Sequence, residues 1–129
     1  MIDIQEILAE TTFKFKSREK ALYDDLRDNE PTKVFNSISD TLLCAFTVGY
    51  HFDKKTETSK GNAIVNLSSI PADTKRLMVE LILLRHPDLE TANEIWKVAE
   101  EYAEWGIEVL HDSVKSNGYH LFIDDVLGK

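Results

Sequence analysis

The chain of 129 residues contains a single cysteine, Cys44. An internal disulfide and a multi-cysteine zinc site are thereby excluded, which fits a reducing compartment. Long apolar runs are also missing, and no stretch approaches the roughly 18 consecutive apolar residues that a membrane span needs. The opening MIDIQEILAE has acids where a secretory signal would have a basic head and an apolar stretch. The expectation is a cytoplasmic protein without membrane contact. Three prolines and five glycines leave room for long uninterrupted elements, and no Walker, Rossmann or nucleophile-elbow glycine pattern occurs. Positive charge is scarce, with 15 Lys and Arg against 23 Asp and Glu, for a net charge of -8. Such a field repels polyanions at long range, so nucleic-acid binding would need a local basic surface.

With 43% hydrophobic residues the chain can build one self-sufficient core. The predicted fold is mostly α, a single compact helical domain over residues 1 to 129, with an α+β variant if one small sheet or hairpin forms. A short opening helix is expected around Ile4, Ile7 and Leu8. FKFK at residues 13 to 16 alternates aromatic with basic side chains in the manner of a strand. Ser17 is the N-cap candidate for a helix through Leu22, Tyr23 and Leu26, stopped near Pro31. A buried helix follows from about Ser39 to Tyr50, and AIVNL at residues 63 to 67 reads as the one other strand-like segment. Pro71 near a helix start and Pro87 as its stop bracket the apolar run from Leu77 to Leu84.

The longest predicted helix begins at Thr91 or Asn93 and closes near Asn117. At about 100° per residue its apolar side chains, from Ile95 to Leu110, fill an arc of about 200°. That is wider than a surface helix needs, so the helix should be central or lie in an interface such as a homodimer contact. The tail from Tyr119 is again apolar and is expected to pack as a strand or short helix.

Two charged features stand out. Glu100, Glu104, Glu108 and Asp112 follow at intervals of four on that long helix, where like charges repel by about 0.2–0.5 kcal/mol per pair. Lys97 with Glu101 and Asp112 with Lys115 offer partial relief. Such a row reads either as a solvated face or as a ridge that docks a partner with a basic surface. The second feature, FKFKSREK, gathers Lys14, Lys16, Arg18 and Lys20. As a nucleic-acid patch it would stack bases on Phe13 and Phe15 and meet phosphates with its cations. Alternatively the aromatics anchor the chain to the core while the cations stay in water, or the patch meets the acidic ridge of another copy or subunit.

Other chemistry is thinly represented. His51, His86, His111 and His120 lack metal-ligand spacing, so no metal or other cofactor is expected. Cys44 lies in an apolar run and is expected to be an inert buried thiol. The pairs Asp24–Asp25, Glu100–Glu101 and Asp124–Asp125 sit in polar contexts that do not promise the desolvation of an acid catalyst. A small nuclease subunit would require clustered acids around a divalent metal. The expectation is a protein without enzymatic activity.

Three segments, in order, resemble a family of small proteins encoded beside the DNA phosphorothioation (Dnd) genes of bacteria and archaea. They are SREKALYDDL, with its basic entry and a Tyr before a Leu; TLLCAFTVGYHFDKK, an apolar helix ending in Gly-Tyr before a basic turn; and EEYAEWGIEVL. The chain departs from the family at Ser17, where proline is usual, and at Trp105 or Ile107, where a second glycine is usual. The resemblance implies an accessory or regulatory component of an antiphage DNA modification and restriction system. It brings no catalytic residue with it. The first expectation is action through protein contacts with another defence-system component, and the alternative is a DNA-binding module or transcriptional regulator using residues 14 to 20.

Overall fold

A computed structural model describes residues 3–10, 12–30, 33–117 and 126. Among the described residues, five helices and one two-stranded sheet make a mostly α arrangement with a small β component: α1 (Ile4–Leu8), β1 (Lys14–Ser17), α2 (Lys20–Asp28), α3 (Ile38–Phe52), β2 (Asn62–Asn66), α4 (Ala72–Arg85) and α5 (Ala92–Ser116). Local chemistry sets most of the starts. Asp3 caps α1 by accepting from Gln5 N at 2.9 Å, and Ser37 caps α3 by accepting from Asp40 N at 3.1 Å. Thr91 and Glu94 form a full capping box on α5. Pro71 stands immediately before α4, where its missing N–H is harmless.

One expected cap is not used. Ser17 belongs to β1, and α2 begins three residues later with Glu19 at its cap position and no side-chain cap. The Ser17 hydroxyl does accept from Glu19 N at 2.8 Å, but its own proton goes to a buried carboxylate on α5. That stronger acceptor holds Ser17 in the strand. The two strand-like segments do pair, antiparallel, with Lys14 opposite Asn66, Phe15 opposite Val65, Lys16 opposite Ala63 and Ser17 opposite Asn62. The register skips Ile64, so the ladder carries a bulge there. The expectations for the tail and for His120 lie outside the described residues; Val126 alone is described there, helical and buried.

Helix α5 is central, touching α1, α2, α3, α4 and β1. Its tightest neighbour is α3, because both helices present small residues at the crossing. A Cβ on Gly106 would lie 1.9 Å from the Ala45 carbonyl oxygen, and one on Gly49 would lie 2.0 Å from that of Tyr102. Backbone meets backbone there, and no side-chain rotation can make room. Around the crossing, Phe46, Tyr102, Ile107 and Leu110 are fully buried. No described helix is long and apolar enough to cross a membrane.

Replacing Gly106 with Ala should force the two helices apart and cost about 1–3 kcal/mol, the range for overpacking a filled core. Thermal unfolding followed by circular dichroism should show a Tm lowered by several degrees. An unchanged Tm would contradict the close crossing.

Candidate functional site

The acidic row on α5 is divided by the fold. Glu100 and Glu104 are each only 2% exposed, whereas Glu108 and Asp112 face solvent. The expected docking ridge is therefore corrected at its first two positions, which no partner can reach. Steps of four residues advance about 40° around a helix, so the row walks out of the buried sector as it climbs. Glu100 lies about 20° past Ile107, at the border of the apolar arc. His111 falls between Glu100 and Glu104 on the wheel and is buried as well, 6% exposed. The covering elements are β1 and α2, both packed on this flank of α5.

The two buried carboxylates bind the edge of β1 that β2 leaves free. Glu100 accepts from Lys16 N through Oε2 at 2.8 Å; its Oε1 accepts from Lys97 Nζ at 2.9 Å and from the Thr58 hydroxyl. Glu104 accepts from Arg18 N at 2.8 Å and from the Ser17 hydroxyl at 2.5 Å. Strand N–H groups two residues apart share an edge, and helix carboxylates four apart share a face, so the two spacings match. Both oxygens of each glutamate are occupied, which offsets part of the desolvation of two like charges. Their field reaches Tyr23, whose phenol is held well above its usual pKa, first by burial and then by Glu104 and Glu100. The relief expected from Lys97 goes to Glu100 rather than Glu101. Glu100 also departs from the polar setting its sequence context implied.

With its edge bound, β1 buries Phe15 and Ser17 and turns Lys14 and Lys16 outward. Phe15 is fully buried and packs edge-on against Trp96 at 6.1 Å, so it anchors the strand and cannot stack on a base. Phe13 is half-buried and braced edge-on by Phe15 at 5.1 Å. Between β1 and the first turns of α5 opens a cleft of about 450 Å³, lined by Thr12, Phe13, Lys14, Lys16, Asn93, Lys97 and Glu100. Sequence reading found Lys14, Lys16 and Phe13 but not Asn93 or Lys97, which lie about eighty residues further along the chain. Arg18 and Lys20 are exposed beyond the cleft. Among the described residues, none of Lys14, Lys16, Arg18 and Lys20 takes part in an ion pair.

A second polar group escaped the sequence reading. Tyr102 OH donates to Asp53 Oδ1 at 2.6 Å, so its contact with His86 Nε2 at 2.8 Å requires the imidazole to donate. Arg85 stacks on Tyr50, 3.8 Å from the ring centroid, and stands 3.5 Å from Asp53. Burial and the hydrogen bond to Asp53 push the Tyr102 phenol up to about 12, and burial with nearby Lys55 lowers His86. Asp53 is the one described non-glycine residue at positive φ, 53°, and closes α3 in a left-handed turn. This group ties the C-terminal ends of α3 and α4 to α5. Cys44 is partly exposed, lies beside an apolar groove with Phe35 and Leu43, and has its thiol pushed up to about 11 by burial, far from a nucleophile. Among the described residues no group of three or more His, Cys, Asp or Glu is placed to hold a metal.

Compared with protein-family models, curated proteins and solved structures, the chain matches none of them. Function is therefore to be read from the geometry.

Glu104→Ala should strand the Arg18 amide and the Ser17 hydroxyl and cost about 2–4 kcal/mol. Glu108→Ala, by removing a repelled surface charge, should change stability by no more than about 0.5 kcal/mol. Urea unfolding of the two variants checks the contrast, and equal losses would contradict the inward role of Glu104.

Proposed function

We propose that the chain is a non-enzymatic accessory module that contacts nucleic acid through the lysine-rimmed cleft, within the prokaryotic DNA modification and restriction setting that the resemblance implies. The observation that carries this reading is the commitment of Glu100. Its oxygens are taken up by Lys16 N, Thr58 and Lys97, so the one carboxylate in the cleft wall is answered from within the protein. Lys14 and Lys16 then dominate the opening, and a phosphate there would meet cations without a carboxylate partner. Binding fits better than catalysis because the cleft contributes cations, an amide and an aromatic ring but no free base. The net charge of -8 does not forbid this, since acids beyond about 10 Å are largely screened at 0.1 M salt.

A protein partner with a basic surface is a second reading, favoured by one observation on the outer part of the acidic row. Glu108 holds its proton above the usual carboxylate range, first from desolvation and then because Glu19, Glu104 and Asp112 crowd it. A cation arriving there would relieve that crowding.

Fluorescence anisotropy with a labelled DNA oligonucleotide, presented both as a single strand and as a duplex, tests the first reading. Two or three phosphate contacts predict a log–log salt slope of about -1.5 to -2 for a single strand. Lys14→Ala with Lys16→Ala should abolish binding. Failure of both DNA forms to bind at low salt, or binding that survives the double substitution, would overturn it.

A further inference from the structure

We infer that the cleft holds one unpaired nucleotide of a single strand, its base against Phe13 and its phosphates against Lys14 and Lys16. This rests on the nucleic-acid reading above and specifies the ligand. The cleft is partly open to solvent, and at about 450 Å³ it has the size of a small-molecule pocket. A duplex is convex, with its bases stacked inside, and presents no single base to a site of that size. An unpaired base can be laid in it.

Three features of the recess match the three parts of a nucleotide. Phe13 supplies an aromatic surface, which every base can use because every base has a π-face. Its ring is held in place by Phe15, itself wedged against the buried Trp96, so little side-chain freedom is lost on stacking. Lys14 and Lys16 stand on the outward face of β1, two residues apart, roughly 7 Å along an extended chain. That is close to the spacing of successive phosphates in a stretched single strand. Asn93 adds an amide that can bond a base edge or a sugar, whereas the Thr12 hydroxyl already donates to Glu10 Oε1 at 2.5 Å and has only its lone pairs left to accept.

The chain beyond the recess continues the path. Arg18 is exposed in the turn after β1 and Lys20 is exposed as the first residue of α2, so a strand leaving the cleft would pass further cations. Carboxylates oppose it at two places. Glu10 accepts from the Thr12 amide at 2.6 Å and the Thr12 hydroxyl at 2.5 Å beside the cleft. Glu57 is exposed near Lys97 and Arg18, its carboxyl held below the usual range first by its hydrogen bonds with Ser59 and then by those two cations. It should favour a path on the β1 side of the cleft.

The test compares a dT oligonucleotide of about ten residues, the matching duplex and dTMP on the intact chain. The expected result is a single strand bound at least about tenfold more tightly than the duplex, and much more tightly than dTMP. Phe13→Leu should weaken single-strand binding by about 5- to 150-fold, the loss of one stacked base, and Phe13→Tyr should restore it. Photo-crosslinking of a 5-iodouracil-substituted strand to the unaltered protein gives a reading that does not depend on how the variants fold, and the crosslink should map to Phe13. A duplex bound as well as the single strand, an unchanged Phe13→Leu or a crosslink elsewhere would overturn the inference, while the nucleic-acid reading stands if Lys14 and Lys16 still matter. Tight dTMP binding would overturn it in favour of a free nucleotide. Absence of all oligonucleotide binding would remove both.

Discussion

Two carboxylates on one helix hold the free edge of a short strand, and the placement of the cleft follows from that contact. Strand β1 has only four residues and one partner strand, too little to be stable alone. Glu100 and Glu104 act as its second neighbour, accepting the Lys16 and Arg18 amides that a third strand would otherwise take. An open edge is a hazard for unintended pairing, and covering it with carboxylates removes that hazard. The same contact fixes the sidedness of β1. With Phe15 and Ser17 drawn inward, Lys14 and Lys16 have only the solvent face left.

The rest of the molecule supports the helix that carries those carboxylates. Gly49 and Gly106 let α3 and α5 approach backbone to backbone. The hydrogen-bonded group of Asp53, Tyr102 and His86 pins the helix ends nearby. On the opposite flank His111 meets Asp25 of α2 at 3.2 Å, and Asp25 is held below its usual range by Asn29 first and by His111 as well. Gly61 completes the sheet side, since a Cβ there would come within 2.8 Å of the Ser17 backbone. Only glycine lets that turn settle onto β1, and the turn carries Thr58, which reaches Glu100.

Much of the fold was legible because it rests on local rules. The capping chemistry of Thr91, the proline before α4 and the wide apolar arc of α5 each announce an element or its centrality through neighbours in sequence. The alternation in FKFK and the apolar AIVNL were legible as strands, but their pairing was not, because it depends on a bulge at Ile64 and on edge partners some eighty residues away. The acidic row was misread for a related reason. Four acids at one spacing look alike, yet they occupy four different angles, and only Glu100 and Glu104 fall beneath β1. The border position of Glu100 beside Ile107 was the available signal. Ser17 was misassigned as a cap because nothing local reveals that its hydroxyl has a buried carboxylate to meet. The gathered cations of FKFKSREK drew attention to residues 13 to 20, but Asn93 and Lys97 could join them only once the helix had been packed against the strand.

The grip of Glu100 and Glu104 on β1 is most directly tested by amide hydrogen exchange, resolved residue by residue with NMR on the intact chain. Lys16 and Arg18 lie on an edge with no strand beside it, so only the two carboxylates can protect them. The account predicts that both amides exchange as slowly as those of the central turns of α5. Exchange at the rate of an unpaired, solvent-facing strand edge would show that the carboxylates do not hold it, and the placement of the lysine cleft would lose its basis.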